Sequence, residues 1–496
     1  MSAPVGTFCL VLHSHLPWLL GHGRWPVGEE WLHQAWAQSY VPLAAMLQRL
    51  GEDGGRDLLT LGLTPVLAAQ LDDPVARAEH HRWLGDWMLR ADELSGSRDP
   101  VLAGLGRYEG AAARTALRRF ERHWGAGGSP VWRALSDAGV VELLGGPLTH
   151  PVLPLVREPV AALALGSGLD DHRLRFGRRP RGIWLPECAY SPGLETLLAG
   201  HGVGHLMLDG PTLRHVGAST DRPWWLADSD VAVVARDLDV TYRVWSPRRG
   251  YPGGRWYRDF HAYHHASGLK LSRVTNASLG SHEKAGYEPE KATAAVAADV
   301  EDFVTLVRAR LADLADRRGR PGLVVAAYDT ELFGHWWHEG LDWLAGVLVA
   351  LPEAGVRVTT LSRALAADVP AARVHPETGS WGLGKDLSVW AGPEVCDLLA
   401  EQNRAQDALL AAARSAVPRT GRSPWLDELA EATLLASASD WPFMVSHRAS
   451  ADYARARLRG HVAQVEALAA HGRPLGRTRP FGHVDARMLG PVGTIA

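Results

Sequence analysis

Apolar residues follow two alternating patterns along the chain, and together these patterns predict an α/β fold. Short apolar runs predict buried strands, at 7–12, 58–63, 140–144, 182–185, 204–208, 231–234, 323–327 and 356–360. Helical stretches separate these runs, and the one at 295–317 carries a one-sided apolar stripe with Pro289 in its first turn. Strand–helix alternation from residue 7 to residue 360 predicts a largely parallel sheet, either open or closed into a barrel.

Two regions depart from this alternation and predict helical additions. Residues 74–124 are charged and helical without a clear strand, which predicts a helical insertion at about 72–130. After about residue 370 the chain has Ala-, Leu- and Arg-rich helical segments and no strand-like run, at 394–416, 425–438 and 449–470. We therefore predict one domain over residues 1–370 and a helical domain over residues 371–496.

Charge and cysteine content narrow the classes of partner. The formal net charge of -3 gives no electrostatic reason to expect nucleic acid or an anionic membrane surface. Cys9, Cys188 and Cys396 are odd in number and far apart, which argues against a disulfide framework and fits a reducing compartment. The first twelve residues lack the features of a signal peptide, and no stretch approaches the roughly 20 apolar residues that span a bilayer. We expect a cytoplasmic protein, as a monomer or small homo-oligomer.

The 20 Trp residues indicate a carbohydrate ligand. Any single Trp is more often part of a core, because the indole is a large apolar body. Many of these residues nevertheless lie in polar, Gly- and Pro-rich contexts, where an aromatic face can stack on a sugar ring: Trp18, Trp25, Trp31, Trp184, Trp256, Trp336, Trp337, Trp381 and Trp390.

Histidines follow two of the predicted strands. His13 and His15 come at the end of the first strand, and their alternate spacing puts both on one side of an extended chain. Structural histidines, a metal-binding pair and contacts to substrate hydroxyls all remain open for them. Thr149 and His150 follow the third strand, which contains Glu142, and this signal is weak by itself.

Carboxylates follow two other predicted strands. Glu187 comes after an apolar strand and Pro186, and Asp329 and Glu331 come directly after the strand at 323–327. A structural ion pair is one explanation for Glu187. Two carboxylates at the ends of different strands are also the minimum apparatus for cleaving a glycosidic bond, and in a retaining enzyme they lie about 5–5.5 Å apart.

At these residues the chain resembles glycoside hydrolase family 57, and within it the 1,4-α-glucan (glycogen) branching enzymes. The similar segments are HSHLP at 13–17, ELLGGPLTH at 142–150, WLPECAY at 184–190, DTELFGHWW at 329–337, Trp381 to Trp390, and SDWPF at 439–443. They run in the order of the family over nearly the whole chain.

The resemblance implies an α/β fold built on an incomplete (β/α)7 barrel, with a helical insertion and a C-terminal all-helical domain that contributes to the active-site groove. It also implies a retaining mechanism without a metal or other cofactor. Glu187 corresponds to the nucleophile of the family and Asp329 to its general acid/base, with Glu331 as a supporting carboxylate.

The same resemblance implies substrate contacts for a further set of residues. His13, His15 and His150 would surround the sugar at the cleavage point. Trp25, Trp31, Trp381 and Trp390 would line the glucan groove, and Asp440 also matches. Tyr242 is the candidate for a tyrosine on a mobile loop at 237–255, centred on 244–247. Ser272 departs from the family, because an aromatic residue is expected directly before Arg273.

The expected activity is cleavage of an α-1,4 linkage in a glucan donor and formation of an α-1,6 branch on a glucan acceptor. A 4-α-glucanotransferase and an α-amylase share the same carboxylates and remain alternatives. A non-catalytic glucan-binding protein is an alternative of a different class. A metal-dependent polysaccharide deacetylase would need a third ligand besides His13 and His15.

Overall fold

The computed structural model describes residues 4–246, 250–276, 278–415, 421–476 and 479–489. Their strands are β1 (Thr7–Ser14), β2 (Leu59–Leu63), β3 (Val141–Leu144), β4 (Gly182–Ile183), β5 (His205–Leu208), β6 (Trp224–Leu226), β7 (Ala232–Ala235), β8 (Leu323–Asp329), β9 (Arg357–Val358) and β10 (Arg373–Val374). All the predicted strands are present. The fourth stops two residues early at Ile183, whereas the strand predicted at 323–327 continues to Asp329.

Helices connect the strands and follow them at the C-terminal end of the chain. They are α1 (Glu29–Ala35), α2 (Val41–Glu52), α3 (Pro65–Asp72), α4 (Pro74–Ser95), α5 (Pro100–His123), α6 (Ser129–Asp137), α7 (Glu158–Phe176), α8 (Leu194–Gly200), α9 (Gly210–Arg214), α10 (Leu238–Val244), α11 (Pro289–Arg318), α12 (Gly340–Glu353), α13 (Leu361–Ala367), α14 (Ser388–Ala391), α15 (Cys396–Ser415), α16 (Pro424–Ala436), α17 (Asp440–Ser446) and α18 (Ala451–His471). Within the described ranges, no helix is both long and apolar enough to cross a membrane.

The strands form two sheets that meet at two places. One sheet has the order β3-β2-β1-β8, with β9 also beside β1, and the other has the order β10-β6-β7-β5-β4. The strand pairs are parallel except for β6 with β7. Gly145 pairs with Ile183, and the Asp237 amide donates a hydrogen bond to the Val325 carbonyl at 2.8 Å. Because neighbouring strands run parallel, their carboxyl ends lie at a common edge.

Strand β1 lies at the centre of the first sheet. Its apolar run is buried on both faces, as expected for a parallel strand covered on both sides. The register sets His13 beside Gly62 of β2 and beside Asp329 of β8. His13, the second-last residue of β1, therefore lies next to Asp329, the last residue of β8.

The predicted helical insertion consists mainly of α4 and α5. Each begins with an aspartate cap followed by proline: Asp73 accepts hydrogen bonds from two backbone amides of α4, and Asp99 does the same for α5. A Cβ atom at Gly106 would lie 2.4 Å from the Ser95 nitrogen, so the end of α4 approaches α5 closely at this glycine.

The part of the chain from residue 371, predicted to be all-helical, begins with a short strand: β10 pairs with β6 and so belongs to the second sheet. Helices α15 to α18 follow it and form the helical C-terminal domain. Their apolar faces share one buried cluster, which includes Leu409, Leu429, Leu458 and Val465. Residues of the first part of the chain, among them Val66 and Leu148, belong to the same cluster. The C-terminal helices therefore pack directly on the α/β part.

The predicted loop at 237–255 is partly wrong. Asp237 caps helix α10, which carries Tyr242, and its side chain accepts hydrogen bonds from the Asp239 and Val240 amides. The helix forms because this aspartate supplies an N-terminal cap directly after β7. Residues 247–249 of the predicted loop lie outside the described residues.

A single π-helical turn connects α1 and α2 and supports the segment after β8. It covers Trp36–Tyr40, and the Ser39 hydroxyl donates to the Phe333 carbonyl at 2.6 Å. Gly334 follows with φ +95°, and a Cβ there would lie 1.9 Å from the Gln38 carbonyl oxygen. This close approach needs glycine for both its space and its backbone conformation.

We therefore expect Gly334→Ala to destabilise the protein more than an alanine at a left-handed glycine with free space. Gly319, with φ +67°, is such a control, because nothing lies within 4 Å of its Cβ position. The left-handed conformation costs about 1–2 kcal/mol in either variant, and the clash at Gly334 adds about 1–3 kcal/mol. Urea unfolding of both variants measures the difference, and equal losses would contradict the close contact with Gln38.

Candidate active site

Two histidines at the end of β1 begin the candidate site. The ring of buried His13 stacks on Trp184, with centroids 4.3 Å apart and planes 9° apart. The ring of His15, two residues on, stacks on His150 at 3.9 Å. Stacking on both sides fixes the orientation of the three imidazoles.

His15 joins the α/β part to the C-terminal domain. Its Nδ1 lies 3.1 Å from the Thr64 hydroxyl, and its Nε2 lies 3.1 Å from a carboxylate oxygen of Asp440. Burial alone would lower the pKa of His15, but the Asp440 carboxylate, followed by Glu187 and Glu331, raises it above the ordinary value. The pair is therefore favoured as an imidazolium beside a carboxylate.

Glu187 lies in a short turn that begins at Pro186, three residues after β4 ends at Ile183. Its backbone is left-handed, with φ 60°. One carboxylate oxygen accepts a hydrogen bond from the Ser439 hydroxyl at 2.8 Å, and the other accepts from the Trp381 indole at 2.9 Å. Burial raises the pKa of Glu187 to about 7. The two hydrogen bonds act in the opposite direction, because they favour the ionised form.

A hydrogen-bonded chain leads from Glu187 back to His13. Ser439 donates its one proton to Glu187, so it can only accept from His150 Nδ1, which lies 2.9 Å away. Burial lowers the pKa of both His150 and His13 well below the usual range, so both rings are neutral. His150 Nε2 then accepts from His13 Nε2, at 3.0 Å. The contacts therefore fix the tautomer of both rings.

Asp329 is the last residue of β8, and Glu331 lies in the turn that follows it. Burial raises the pKa of Asp329 to about 6, while the positive charges of His15 and Arg236 act in the opposite direction. Burial, together with the neighbouring Asp329 charge, raises the pKa of Glu331 to about 8. Glu331 accepts hydrogen bonds from the Tyr40 hydroxyl and the His15 amide. At pH 7 the carboxyl of Glu331 is therefore mostly protonated.

A buried ion pair lies beside these groups. Asp209 follows β5 and Arg236 follows β7, and Arg236 Nε donates to Asp209 at 2.8 Å. The Asp209 carboxylate also lies 2.8 Å from Lys385 Nζ. The Arg236 guanidinium lies 5.4 Å from the Trp381 ring centre, on the same indole that donates to Glu187.

The structure thus brings together Glu187, Asp329, His13, His15, His150, Trp381 and Asp440 among the residues singled out from the sequence. Tyr242 lies nearby on α10, where its ring centre is 5.9 Å from Lys385 Nζ. The nitrogens of His15 and Nε2 of His13 face protein groups. Of the described residues, no group of three or more His, Cys, Asp or Glu is arranged to hold a metal ion.

Three tryptophans differ in how they are placed. Trp25 is 78% exposed, and Trp31 is half-buried against the Tyr453 ring, 5.8 Å away. Trp390 is only 1% exposed and packs under Gly382, where a Cβ would lie 2.9 Å from its ring. In this structure Trp390 presents no ring face to a ligand.

Glu142 lies away from this group. It is in the middle of β3, where Thr60 donates to it at 3.0 Å and His205 Nε2 lies 3.0 Å from its other oxygen. Burial acts to raise its pKa, but hydrogen bonds from His205, Ser362 and Thr60 bring the pKa below the usual value. Glu142 is a buried, paired structural carboxylate.

Sequence analysis missed Ser439, Arg236, Asp209 and Tyr40 as residues of the site. Asp209 and Arg236 directly follow apolar strands, so the rule that identified Glu187 and Asp329 would have identified them too. Ser439 had a weaker signal, as the neighbour of Asp440. Nothing in the local pattern at Tyr40 indicates its contact with Glu331.

Comparisons with known proteins find similarity along nearly the whole chain. The family model "Glycosyl hydrolase family 57" matches residues 9–377, and the model "1,4-alpha-glucan branching enzyme, C-terminal" matches residues 401–474. A probable 1,4-alpha-glucan branching enzyme of Mycobacterium tuberculosis is 47% identical, over 98% of this chain and 99% of that protein.

Two solved structures are similar over most of their length. The GH57-type branching enzyme from Pyrococcus horikoshii matches with a TM-score of 0.87 and 33% identity, covering 94% of this chain and 90% of that one. The GH57 branching enzyme from Thermococcus kodakaraensis, in complex with glucose, matches with a TM-score of 0.88 and 30% identity, covering 98% and 94%. The chain therefore belongs to glycosyl hydrolase family 57.

Proposed function

We propose that the protein is a 1,4-α-glucan branching enzyme, which cleaves an α-1,4 linkage and transfers the released chain to a C6 hydroxyl. The observation that carries this proposal is the setting of Glu187: a buried carboxylate held at both oxygens by Ser439 and Trp381, in a site shared with Asp329. The names of the similar proteins support the same activity.

Glu187 is the proposed nucleophile and Asp329 the proposed general acid/base. As the Glu187 carboxylate attacks C1 of the donor, Asp329 gives its proton to the glycosidic oxygen and the reducing-side fragment leaves. The C6 hydroxyl of an acceptor chain then attacks C1 and gives its proton to Asp329. The bond to Glu187 breaks, so both carboxyl groups return to their starting forms.

The pKa of Glu187, about 7, lies above that of Asp329, about 6. The reactive form, with Glu187 ionised and the proton on Asp329, is therefore the less populated arrangement of a single proton between the two groups. Asp329 as a residue is half-buried, whereas Glu187 is buried. The hydrogen bonds to Glu187 raise the share of this reactive form.

We further propose that the seven parallel strands β1 to β5, β7 and β8 act as the incomplete (β/α)7 barrel of a catalytic domain over residues 1–370. The helical domain over residues 371–496 then closes the site, because Trp381, Ser439 and Asp440 all come from it. Exclusion of water by this domain favours transfer to an acceptor over hydrolysis.

The histidines and aromatic residues are proposed to contact the α-glucan donor and acceptor. His13, His15, His150 and Asp440 surround the reacting sugar, and Trp381 supplies an aromatic face beside Glu187. Trp25 and Trp31 contact the chain further out. Tyr242 acts from helix α10 and not from an extended loop. Trp390 does not contact the glucan and instead packs against Gly382, the residue after Trp381.

We expect Glu187→Gln and Asp329→Asn to abolish formation of α-1,6 linkages from amylose. Loss of the acid/base lowers the rate by about 10²–10⁴-fold, and loss of the nucleophile by at least as much. Proton NMR of the linkages, together with an assay of new reducing ends, measures the change. Glu142→Gln is the matched control, because it replaces a buried carboxylate of β3 outside the site.

Each other outcome of this assay has a defined meaning. New reducing ends without branches would show an α-amylase, and redistributed α-1,4 chain lengths would show a 4-α-glucanotransferase. No change to any α-glucan would contradict an enzyme of this class. Full activity in Glu187→Gln would contradict its role as nucleophile.

The pH profile tests the order of the two pKa values. Below about pH 6 both carboxyls are protonated, and above about pH 7 both are ionised, so activity should be highest between these limits. Ser439→Ala removes a donor that lowers the pKa of Glu187. A hydrogen bond to a charged group is worth about 1.5–3 kcal/mol, so we expect the pKa of Glu187 to rise by about one unit.

The upper limb of the profile should therefore move to higher pH, and the maximal rate should fall about tenfold as the reactive form becomes rarer. Ser437→Ala is the control, because the Ser437 hydroxyl donates to the Thr433 carbonyl within the same buried helix end. Movement of the lower limb in place of the upper one would mean that Glu187 has the lower pKa of the pair.

A further inference from the structure

We propose that a cavity between the segment after β1 and helices α16 and α18 is a second binding site for an α-glucan chain, separate from the reacting sugar. This inference rests on the proposed function, because it assigns the cavity to a more distant part of the same polymer. The cavity has a volume of about 790 Å³. Its lining includes Trp18, His22, Glu428, Gly460, His461 and Gln464.

The cavity lies between two parts of the molecule and opens to solvent. One wall comes from the segment after β1 and the start of α4, and the other comes from α16, α18 and Arg479. Arg24 and Val75 line it and are 78% and 67% exposed. A polymer can therefore enter it from outside.

Five acidic and two basic side chains line the cavity, and both basic ones are paired. Arg24 lies 3.3 Å from Glu79, and Arg479 donates to Glu431 at 2.8 Å. Asp73 is held as the cap of α4. The acidic excess disfavours an anionic ligand, whereas a neutral polyhydroxylated chain can donate hydrogen bonds to the carboxylates without breaking the pairs.

One residue of the cavity wall, Glu428, has a buried polar atom without a partner. Glu428 is 4% exposed, and one of its carboxylate oxygens accepts from the Leu475 amide at 3.1 Å. The other oxygen lies below the cavity surface and has no hydrogen-bond partner among the described residues. An unsatisfied buried carboxylate oxygen is costly, and rotation of this side chain towards the cavity would let a sugar hydroxyl donate to it.

An aromatic ring and an amide complete the chemistry expected of a sugar site. Trp18 is half-buried, packed edge-to-face on Phe481 at 6.2 Å, and lines the cavity. Gln464 lines the opposite wall and can donate or accept a hydrogen bond. His461 lies beside it, with its Nε2 accepting from Arg457 at 3.1 Å, so only its Nδ1–H remains as a donor. Aromatic faces with a few convergent polar groups are typical of small-molecule sites.

Two short stretches of chain link the cavity to the active site. Trp18 comes three residues after His15, which contacts Asp440. Trp441, directly after Asp440, packs against His461, with ring centroids 5.8 Å apart. A glucan chain that is long enough to reach from one place to the other can therefore occupy both, and a short chain cannot.

Gly460 offers a way to block the cavity without disturbing the fold. It lines the cavity in the middle of α18, and nothing lies within 4 Å of its Cβ position. Gly460→Trp fills the cavity, and Gly460→Ala leaves it open. Gly85→Trp is the matched control, because Gly85 lies within α4 with the same free space but does not line the cavity.

Binding of amylose to these variants in a Glu187→Gln background, measured by affinity electrophoresis, tests the site directly. We expect Gly460→Trp to weaken binding at least about tenfold, with Gly460→Ala and Gly85→Trp unchanged. In the active enzyme, Gly460→Trp should raise KM for amylose. It should leave kcat/KM for a short maltooligosaccharide within about twofold, because a short chain cannot occupy both places.

Three results would overturn this inference. Equal amylose binding by Gly460→Trp and Gly460→Ala would show that the cavity holds no glucan. An equal loss on short and long substrates would show damage to the active site. The same loss in Gly85→Trp would show a nonspecific effect. If the unsubstituted enzyme alters no α-glucan but Gly460→Trp still weakens amylose binding, the proposed activity fails and the second site stands.

Discussion

The hydrogen bonds to the Glu187 carboxylate join the α/β part of the molecule to its C-terminal part. A buried carboxylate loses its hydration, and it persists as an anion only where donors replace the lost water. Here both donors come from far along the chain: the Trp381 indole lies 194 residues later and the Ser439 hydroxyl 252 residues later. Without either one, a buried acceptor would be left unpaired, at a cost of about 1–3 kcal/mol. The sheet therefore presents Glu187, but the C-terminal part determines its charge and its orientation.

The same contacts account for two strained residues. Glu187 and His150 both have left-handed backbones, with φ 60° and 59°, and neither is glycine. Such conformations cost of order 1–3 kcal/mol each and persist only where the surroundings hold them. Here the two side chains are fixed through one atom, because the Ser439 hydroxyl contacts both. His13 extends this chain towards the end of β1, so the side chains of two strained residues and the tautomers of two imidazoles are linked through one serine.

Much of the fold and the centre of the site could be predicted from the sequence, for identifiable physical reasons. Parallel strands buried on both faces give continuous apolar runs, and a carboxylate directly after such a run is conspicuous, as at Glu187 and Asp329. The bounds of helix α7 could not be predicted, because it is buried nearly all round and has no one-sided apolar stripe. Ser439 gave no signal of its own, since its role arises from contacts 252 and 289 residues away. The insertion and the C-terminal helices were predicted from composition, because these segments are charged or rich in Ala, Leu and Arg and contain no strand-like run.

The carboxyl groups of the site differ in protonation because their buried surroundings differ. Asp440 is paired with His15, so this pair carries little net charge. Glu331 keeps its proton at neutral pH, because Asp329 lies close to it in a buried place. With pKa values of about 7 and about 6, Glu187 and Asp329 are partly ionised near neutral pH. Arg236, which is paired with Asp209, offsets part of this negative charge. The remaining negative charge stabilises the positive charge that develops on the sugar ring during glycosidic cleavage, and the fixed donors around Glu187 need little rearrangement as it forms.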